Sequence, residues 1–282
     1  MTSKKAYQTT APLPFVGQKR RFIKHYVNLL NECIEGEGEG WTIVDCFGGS
    51  GLLSHVAKRL KPKARVIYND FEGYTERLKN VEDINKLRVE LLNLCKEHEK
   101  AKIIKGELRE KIIETINNFK GFIDIHSLST WLLFSGQQVK TLEELYTKSF
   151  YNNTRTTEYA NPVDYLNGLE ITKKDYKELL PEFKDDPKAL FVLDPPYLCT
   201  NQGSYEQDKY FGLVEFLKLI EVTRPPFLFF SSTRSEIIQF LEWLNTNLSW
   251  ESGKTLKDTK VIKMNTSVNY AGKYEDNLIY KF

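Results

Sequence analysis

The chain has 282 residues, of which 41% are hydrophobic, a length that buries one full α/β core with a smaller lobe and excludes a multi-domain scaffold. Forty lysines and arginines face 38 aspartates and glutamates, so the formal charge of +2 gives no broad field, and a nucleic-acid partner must meet a local basic patch. No run is apolar enough to cross a bilayer, and the charged Lys4 and Lys5 have no apolar stretch behind them, which predicts a cytoplasmic protein without membrane contact.

Residues 1 to 14, polar and carrying Pro12 and Pro14, predict a flexible or extended lead-in and no packed element. From Gln18 the pattern turns helical: Phe22, Tyr26, Leu29, Leu30 and Cys33 share one face, up to the Gly36–Gly40 loop. Residues 41 to 46 form a short apolar run that reads as a buried parallel strand, and Phe47-Gly-Gly-Ser-Gly51 follows directly. A helix over 52–60 and a strand over 64–70 ending in Asp70 complete a βαβ unit.

The charged stretch 72–120 has Leu and Ile at helical spacing and no proline, predicting two or more helices. It is too long for an ordinary crossover. With the mixed, aromatic-containing region up to Pro187 it reads as an inserted lobe. The core returns in strands over 189–194 and 226–231, then a helix through Leu244, and 260–264 with 277–281 predict a closing antiparallel hairpin.

The chemistry concentrates in three places. Asp45 to Gly51 lies between strand and helix, where glycines let backbone approach a ligand and helix-start N–H groups favour a carboxylate or phosphate; a plain tight turn reads equally well. Asp70, at the end of the next strand, is placed to grip ribose hydroxyls or to cap a helix. Leu193-Asp194-Pro195-Pro196-Tyr197 is sharper: two prolines remove two backbone donors and fix the chain, leaving a rigid acceptor cluster beside an aromatic ring. Such a cluster suits a planar amino group, whose hydrogens it can pull out of plane, on a base stacked against Tyr197. Cys33, Cys46, Cys95 and Cys199 form no CxxC pair, and His25, His55, His98 and His126 show no ligand spacing, so reduced cysteines and no metal are expected.

These motifs, in this order, resemble the N6-adenine DNA methyltransferases of the Dam and D12 type. Phe15-Val-Gly17-Gln-Lys19 is similar to that family's opening motif, with Phe for a common Trp and Gln18 for a glycine. Asp45 to Gly51 resembles its glycine loop, Asn69-Asp70 its ribose motif, Asp194 to Tyr197 its catalytic motif, and Asn265 to Lys273 with Leu278 to Tyr280 its closing strands. The resemblance implies an α/β, Rossmann-like methyltransferase sheet, mostly parallel with a closing antiparallel hairpin. Its core would span 1–70 and 188–282, and a mainly helical target-recognition lobe would occupy 71–187.

It implies S-adenosylmethionine as methyl donor, held by Phe15, Gly17, Lys19, Asp45, Phe47, Gly48, Gly49, Gly51, Asp70 and Asp194. Asp194, Pro195, Pro196 and Tyr197 would then act on an adenine flipped out of double-stranded DNA. By the residue types that read bases and hold phosphates, Asn152, Asn153 and Arg155 are expected to read bases and Lys140 and Lys148 to hold phosphates, although the Asn-rich stretch also reads as a turn. Lys19, Arg20 and Arg21 stand at a helix start, where the dipole disfavours cations; a ligand carboxylate or plain solvation explains them. Thr200 to Lys209 reads as a loop closing over DNA. An RNA adenine, a cytosine N4 amine or a protein amide offers a similar nitrogen; a nicotinamide dehydrogenase would not need Asp-Pro-Pro-Tyr; and a non-catalytic DNA-binding module could keep the fold. A cognate restriction endonuclease is a further partner the motifs neither require nor exclude.

Overall fold

Four buried residues, Thr42–Asp45, make β1 at the centre of a seven-stranded sheet. The computed structural model describes residues 7–197, 211–232, 237, 239, 240, 243, 256–269 and 272–282. These divide into two compact units, one of residues 1–10, 18–72 and 166–282, the other of 11–17 and 73–165.

In the first unit the chain enters through α1 (Ile23–Cys33), β1, α2 (Leu52–Leu60) and β2 (Arg65–Asn69). After the second unit it returns in β5 (Glu170–Thr172), α8 (Tyr176–Leu179), β6 (Ala189–Leu193), α9 (Leu213–Val222), β7 (Phe227–Ser232), β8 (Lys260–Asn269) and β9 (Gly272–Lys281). The strand order is β5-β2-β1-β6-β7-β9-β8, with β5, β2, β1, β6 and β7 parallel and β9 antiparallel to both neighbours. This is the Rossmann-like order of a methyltransferase sheet, as the sequence predicts, with the closing hairpin longer than its apolar residues suggest. Side chains alternate across the strands. Ile43, Val66, Val192 and Phe230 pack under α1 and α2, while Val44, Ile67, Phe191 and Phe229 pack under α8 and α9. Both faces are covered, which is why the central strands read as unbroken apolar runs.

β1 and β6 are neighbours in the sheet but far apart in the chain, so the connections diverge there. In open α/β sheets the crevice at the carboxyl ends of such strands is where ligands bind.

The second unit holds α3 (Tyr74–Lys79), α4 (Val81–Leu94), α5 (Gly106–Asn118), α6 (Ile125–Leu132) and α7 (Leu142–Thr147), with a small antiparallel pair of β3 (Ile103–Ile104) and β4 (Phe150–Tyr151). Its apolar centre includes Trp131, Phe150, Leu91 and Ile116. The Asp124 and Thr141 side chains cap α6 and α7 by accepting from Ser127 and Glu144 N–H groups.

Two boundaries differ from the sequence reading. Residues 166–187, expected in the insertion, carry β5 and α8 of the sheet unit. β5 is an edge strand of three partly exposed residues, so no apolar run announces it. The lead-in is packed: Ala11 and Leu13 are buried, in the second unit. The helix through Leu244, the Thr200–Lys209 loop and Cys199 lie, wholly or largely, outside the described residues. Cys46 and Cys95 are buried free thiols, and Cys33 is half-buried. Among the described residues no helix is long and apolar enough to cross a membrane.

Candidate active site

The carboxyl ends of β1 and β6 and the amino-terminal half of the antiparallel β9 bring acidic side chains to the sheet face covered by α1 and α2. Strand alternation puts Asp45 there, one residue past Val44, and Asp194 one past Leu193. Asp45 is buried, and its Oδ2 accepts a 2.6 Å hydrogen bond from Ser54 of α2. Its Oδ1 has no hydrogen-bond partner. Burial pushes the Asp45 carboxyl up to about 7; the Ser54 bond opposes the rise and the Asp194 charge adds to it. The Tyr26 hydroxyl of α1 is also buried without a partner, and is raised by burial and by Asp45.

Lys19 answers this acidity. Its ammonium stands 2.5 Å from Asp194 Oδ2, with only 11% of the lysine side chain exposed. It also lies 5.4 Å from the Tyr197 ring centre and 5.8 Å from that of Phe230. Burial pushes the Asp194 carboxyl up, Lys19 pulls it back, and Asp276 of β9 adds a smaller upward push. Lys19 therefore favours the ionised, hydrogen-bond-accepting form of a carboxyl that burial would otherwise protonate. Arg20 and Arg21 are exposed, in keeping with solvation. Pro195 is buried; Pro196 and Tyr197 are half-buried.

The glycine turn after β1 is fitted to its neighbours. A Cβ on Gly48 would lie 2.4 Å from two ring atoms of Tyr68, so only glycine passes. The Tyr68 hydroxyl lies 2.7 Å from the Gly49 carbonyl oxygen and 3.1 Å from Asp70 Oδ1, tying the turn to the residue after β2. Gly51 takes φ +69° as the cap of α2, the left-handed region that favours glycine. Asp70 is buried, and its N–H bonds to the Thr172 carbonyl, continuing the sheet. Phe47 joins an aromatic group with Tyr176 and Phe211, at ring distances of 5.9 and 6.2 Å.

The structure thus brings Lys19, Asp45, the Phe47–Gly51 turn, Asp70 and Asp194 to Tyr197 to the ends of adjacent strands. Phe15 and Gly17 belong to the second unit, where the Phe15 ring meets Tyr74 edge-on at 5.8 Å. Gly17 has φ +84°, whereas Gln18 is outside the positive-φ region, so glutamine sits there without backbone strain. Tyr68, Tyr176 and Phe211 escaped the sequence reading. Only the aromatic residue two positions before Asp70 offered a signal.

Two expected base-reading residues are corrected. Asn152 is buried, and its amide nitrogen donates to the carbonyls of His98 (2.6 Å) and Cys95 (3.4 Å). Asn153 donates to the Leu133 carbonyl. Both amides hold backbone carbonyls; Asn152 is buried and faces inward, whereas Asn153 is half-buried. Arg155 is exposed, bonded to Thr157 and 4.6 Å over the Tyr159 ring. Lys140 is exposed, and Lys148 is 3.8 Å from Glu144. Among the described residues, no cluster of three or more His, Cys, Asp or Glu could hold a metal ion.

No family model matches the chain. A Haemophilus influenzae protein described as "Putative methyltransferase" is 50% identical over 285 residues, which cover 100% of this chain and 95% of that protein. Among solved structures, a "putative RNA methyltransferase" of Pyrococcus horikoshii gives a TM-score of 0.37 at 13% identity, covering 95% of this chain and 87% of that one. The precorrin-6y C5,15-methyltransferase of Geobacter metallireducens gives 0.33 at 10% identity, covering 98% and 94%.

Proposed function

The chain belongs to the methyltransferase family of its Haemophilus influenzae relative, and we propose that it transfers a methyl group from S-adenosylmethionine to the exocyclic amino group of a nucleobase. The order of its motifs, similar to the Dam and D12 enzymes, makes adenine N6 in DNA the specific form of this reading. An RNA adenine or a cytosine N4 presents the same planar nitrogen. The buried Asn152 takes one base contact away from the DNA form.

The residues present fit the donor. Its ammonium and ribose hydroxyls are hydrogen-bond donors, and the strand ends offer acceptors in Asp45, with an orphaned buried oxygen, and Asp70. When bound, S-adenosylmethionine supplies a methyl group already activated on a sulfonium. Everything else is positioning. Asp194 and the Pro195 carbonyl accept hydrogen bonds from the target amino group and localise its lone pair. Tyr197 stacks on the base, a contact of about 1–3 kcal/mol. Lys19 opposes the rise that burial imposes on the Asp194 carboxyl and so favours its ionised, hydrogen-bond-accepting form. Most of the rate then comes from orientation and exclusion of water.

The observation that carries the reading is Asp194, paired with Lys19 at 2.5 Å at the end of β6 and followed by the stiffened Pro195-Pro196-Tyr197. The test incubates the purified protein with labelled S-adenosylmethionine and, separately, unmethylated DNA and RNA, then identifies the modified nucleoside. N6-methyladenine from DNA, absent with Asp194→Ala, supports the specific form. Label appearing only from RNA overturns the DNA form, and label in no nucleoside overturns the nucleobase reading.

A further inference from the structure

Three segments of the second unit, 100–105, 131–140 and 148–155, meet at the short β3–β4 ribbon. They carry Lys100, Lys102, Lys105, Lys140, Lys148 and Arg155 and no Asp or Glu, in a chain whose formal charge is only +2. The first and third segments are joined by the Ile103–Tyr151 and Ile104–Phe150 pairs. The second is clasped to the end of β4, where the Asn153 N–H donates to the Trp131 carbonyl at 2.9 Å and the Asn153 side chain donates to the Leu133 carbonyl at 3.1 Å. Lys102, Lys105, Lys140 and Arg155 are exposed. The flanking Glu99 and Glu144 stay 3.8 Å from the Lys102 and Lys148 ammonium groups, and exposed pairs of that length cancel little charge. This is the local basic patch that the near-neutral chain needs for a polyanion.

Beside the ribbon a turn holds a large ring out in water. Phe134 is 56% exposed, directly after the buried Leu132 and Leu133. The Gln137 N–H donates to the Phe134 carbonyl at 3.1 Å, and Ser135 and Gly136 between them take φ +52° and +75°, as in a type I′ turn. Both stems are fixed, one by Asn153 on Leu133 and the other by the Ser129 hydroxyl, which accepts from the Val139 N–H at 3.4 Å. The Phe134 ring lies 5.2 Å from that of Tyr151, tilted by 43°. Ile103, opposite Tyr151 in the ribbon, is exposed as well. Rings presented on a fixed backbone lose little freedom when a partner stacks on them.

With the Asn152 amide turned inward and that of Asn153 holding the turn, this surface offers chiefly rings and cations. An unpaired strand matches both, since each base has a face to stack and each phosphate a charge, whereas a duplex keeps its base faces covered. We propose that Phe134 and Tyr151, with the cations around them, form a platform that binds an unpaired stretch of nucleic acid, DNA or RNA, by stacking. The proposal takes its partner from the nucleobase reading above and adds a sequence-tolerant contact to it.

The test uses the full chain and fluorescence anisotropy. The probes are fluorescein-labelled 12-nucleotide single strands of one mixed sequence, as DNA and as RNA, and the blunt DNA duplex of that sequence. Phe134→Ala should raise the single-strand Kd about tenfold, while the duplex Kd and the S-adenosylmethionine Kd stay within about twofold. Thermal unfolding checks that the variant is folded. The double variant Lys102→Gln, Lys140→Gln should lower the slope of log Kd against log salt by about 1.4 on single strands. A Phe134-dependent loss on the DNA strand, the RNA strand or both supports the platform and identifies its source. An unchanged single-strand Kd in Phe134→Ala, an equal loss on the duplex, or an unchanged slope in the lysine variant overturns it. Labelled nucleosides from a native protein whose strand binding ignores Phe134 remove the platform alone; Phe134-dependent strand binding without any labelled nucleoside removes the methyl-transfer reading alone.

Discussion

Replacing Asp45 by asparagine should make the protein more stable, and increasingly so as pH rises. In the folded state burial holds the Asp45 carboxyl at about 7, against an ordinary 3.8. Between those values the folded state keeps a proton that the unfolded chain has released. Unfolding then releases a proton, so stability falls as pH rises from about 4 to about 7, and levels off above it. Three units at about 1.4 kcal/mol each give about 4 kcal/mol lost to this carboxylate at pH 8. Asparagine has the same shape, can keep the Ser54 bond, and has no proton to lose. In urea unfolding at pH 5, 6, 7 and 8, the variant's advantage over the native chain should grow by about 3 kcal/mol from pH 5 to 8, about 1 M in the midpoint. Most of the growth should come below pH 7. A difference flat across that range would refute the reasoning, because Asp45 would then titrate as in the unfolded chain. The gain in stability should come with weaker S-adenosylmethionine binding, the pattern expected where a strained buried charge serves a ligand.

Two further substitutions probe the neighbouring structure. Gly48→Ala forces a Cβ to within 2.4 Å of the Tyr68 ring, so it should cost about 1–3 kcal/mol in thermal unfolding and weaken donor binding by moving the hydroxyl that links Gly49 to Asp70; native-like stability would show that the turn gives way freely. Asn152→Ala removes the amide that donates to the His98 and Cys95 carbonyls and should destabilise by about 1–3 kcal/mol, leaving the nucleic-acid affinity of the folded protein unchanged in fluorescence anisotropy. A selective loss of affinity at unchanged stability would restore Asn152 as a base reader.

Much of the core is legible in the chain itself. Central parallel strands are buried on both faces, so β1, β6 and β7 stand out as continuous apolar runs, and the glycine turn and the Asp194-Pro195-Pro196-Tyr197 motif are located by the strands they follow. Those short-range patterns are enough to place Asp45, Asp70 and Asp194 at strand ends, and the resemblance carried by the order of the motifs implies the methyltransferase sheet. What each polar side chain faces is a different matter, because its partner is brought near by folding and leaves no local period. Asn152 and Asn153 have the residue type of base readers, yet their amides donate to the backbone carbonyls of His98 and Leu133. β5, three residues at an exposed edge, joins the sheet only because β2 offers its open side. The lead-in looks like a flexible tail until Tyr74 and Arg77 take up its backbone groups. The Lys19–Asp194 pair, from segments far apart in the chain, sets the charge of the site. Burial periodicity is local, so the elements and the acidic residues at their ends are readable along the chain; which buried charges meet and where each amide points depend on contacts made when distant segments close.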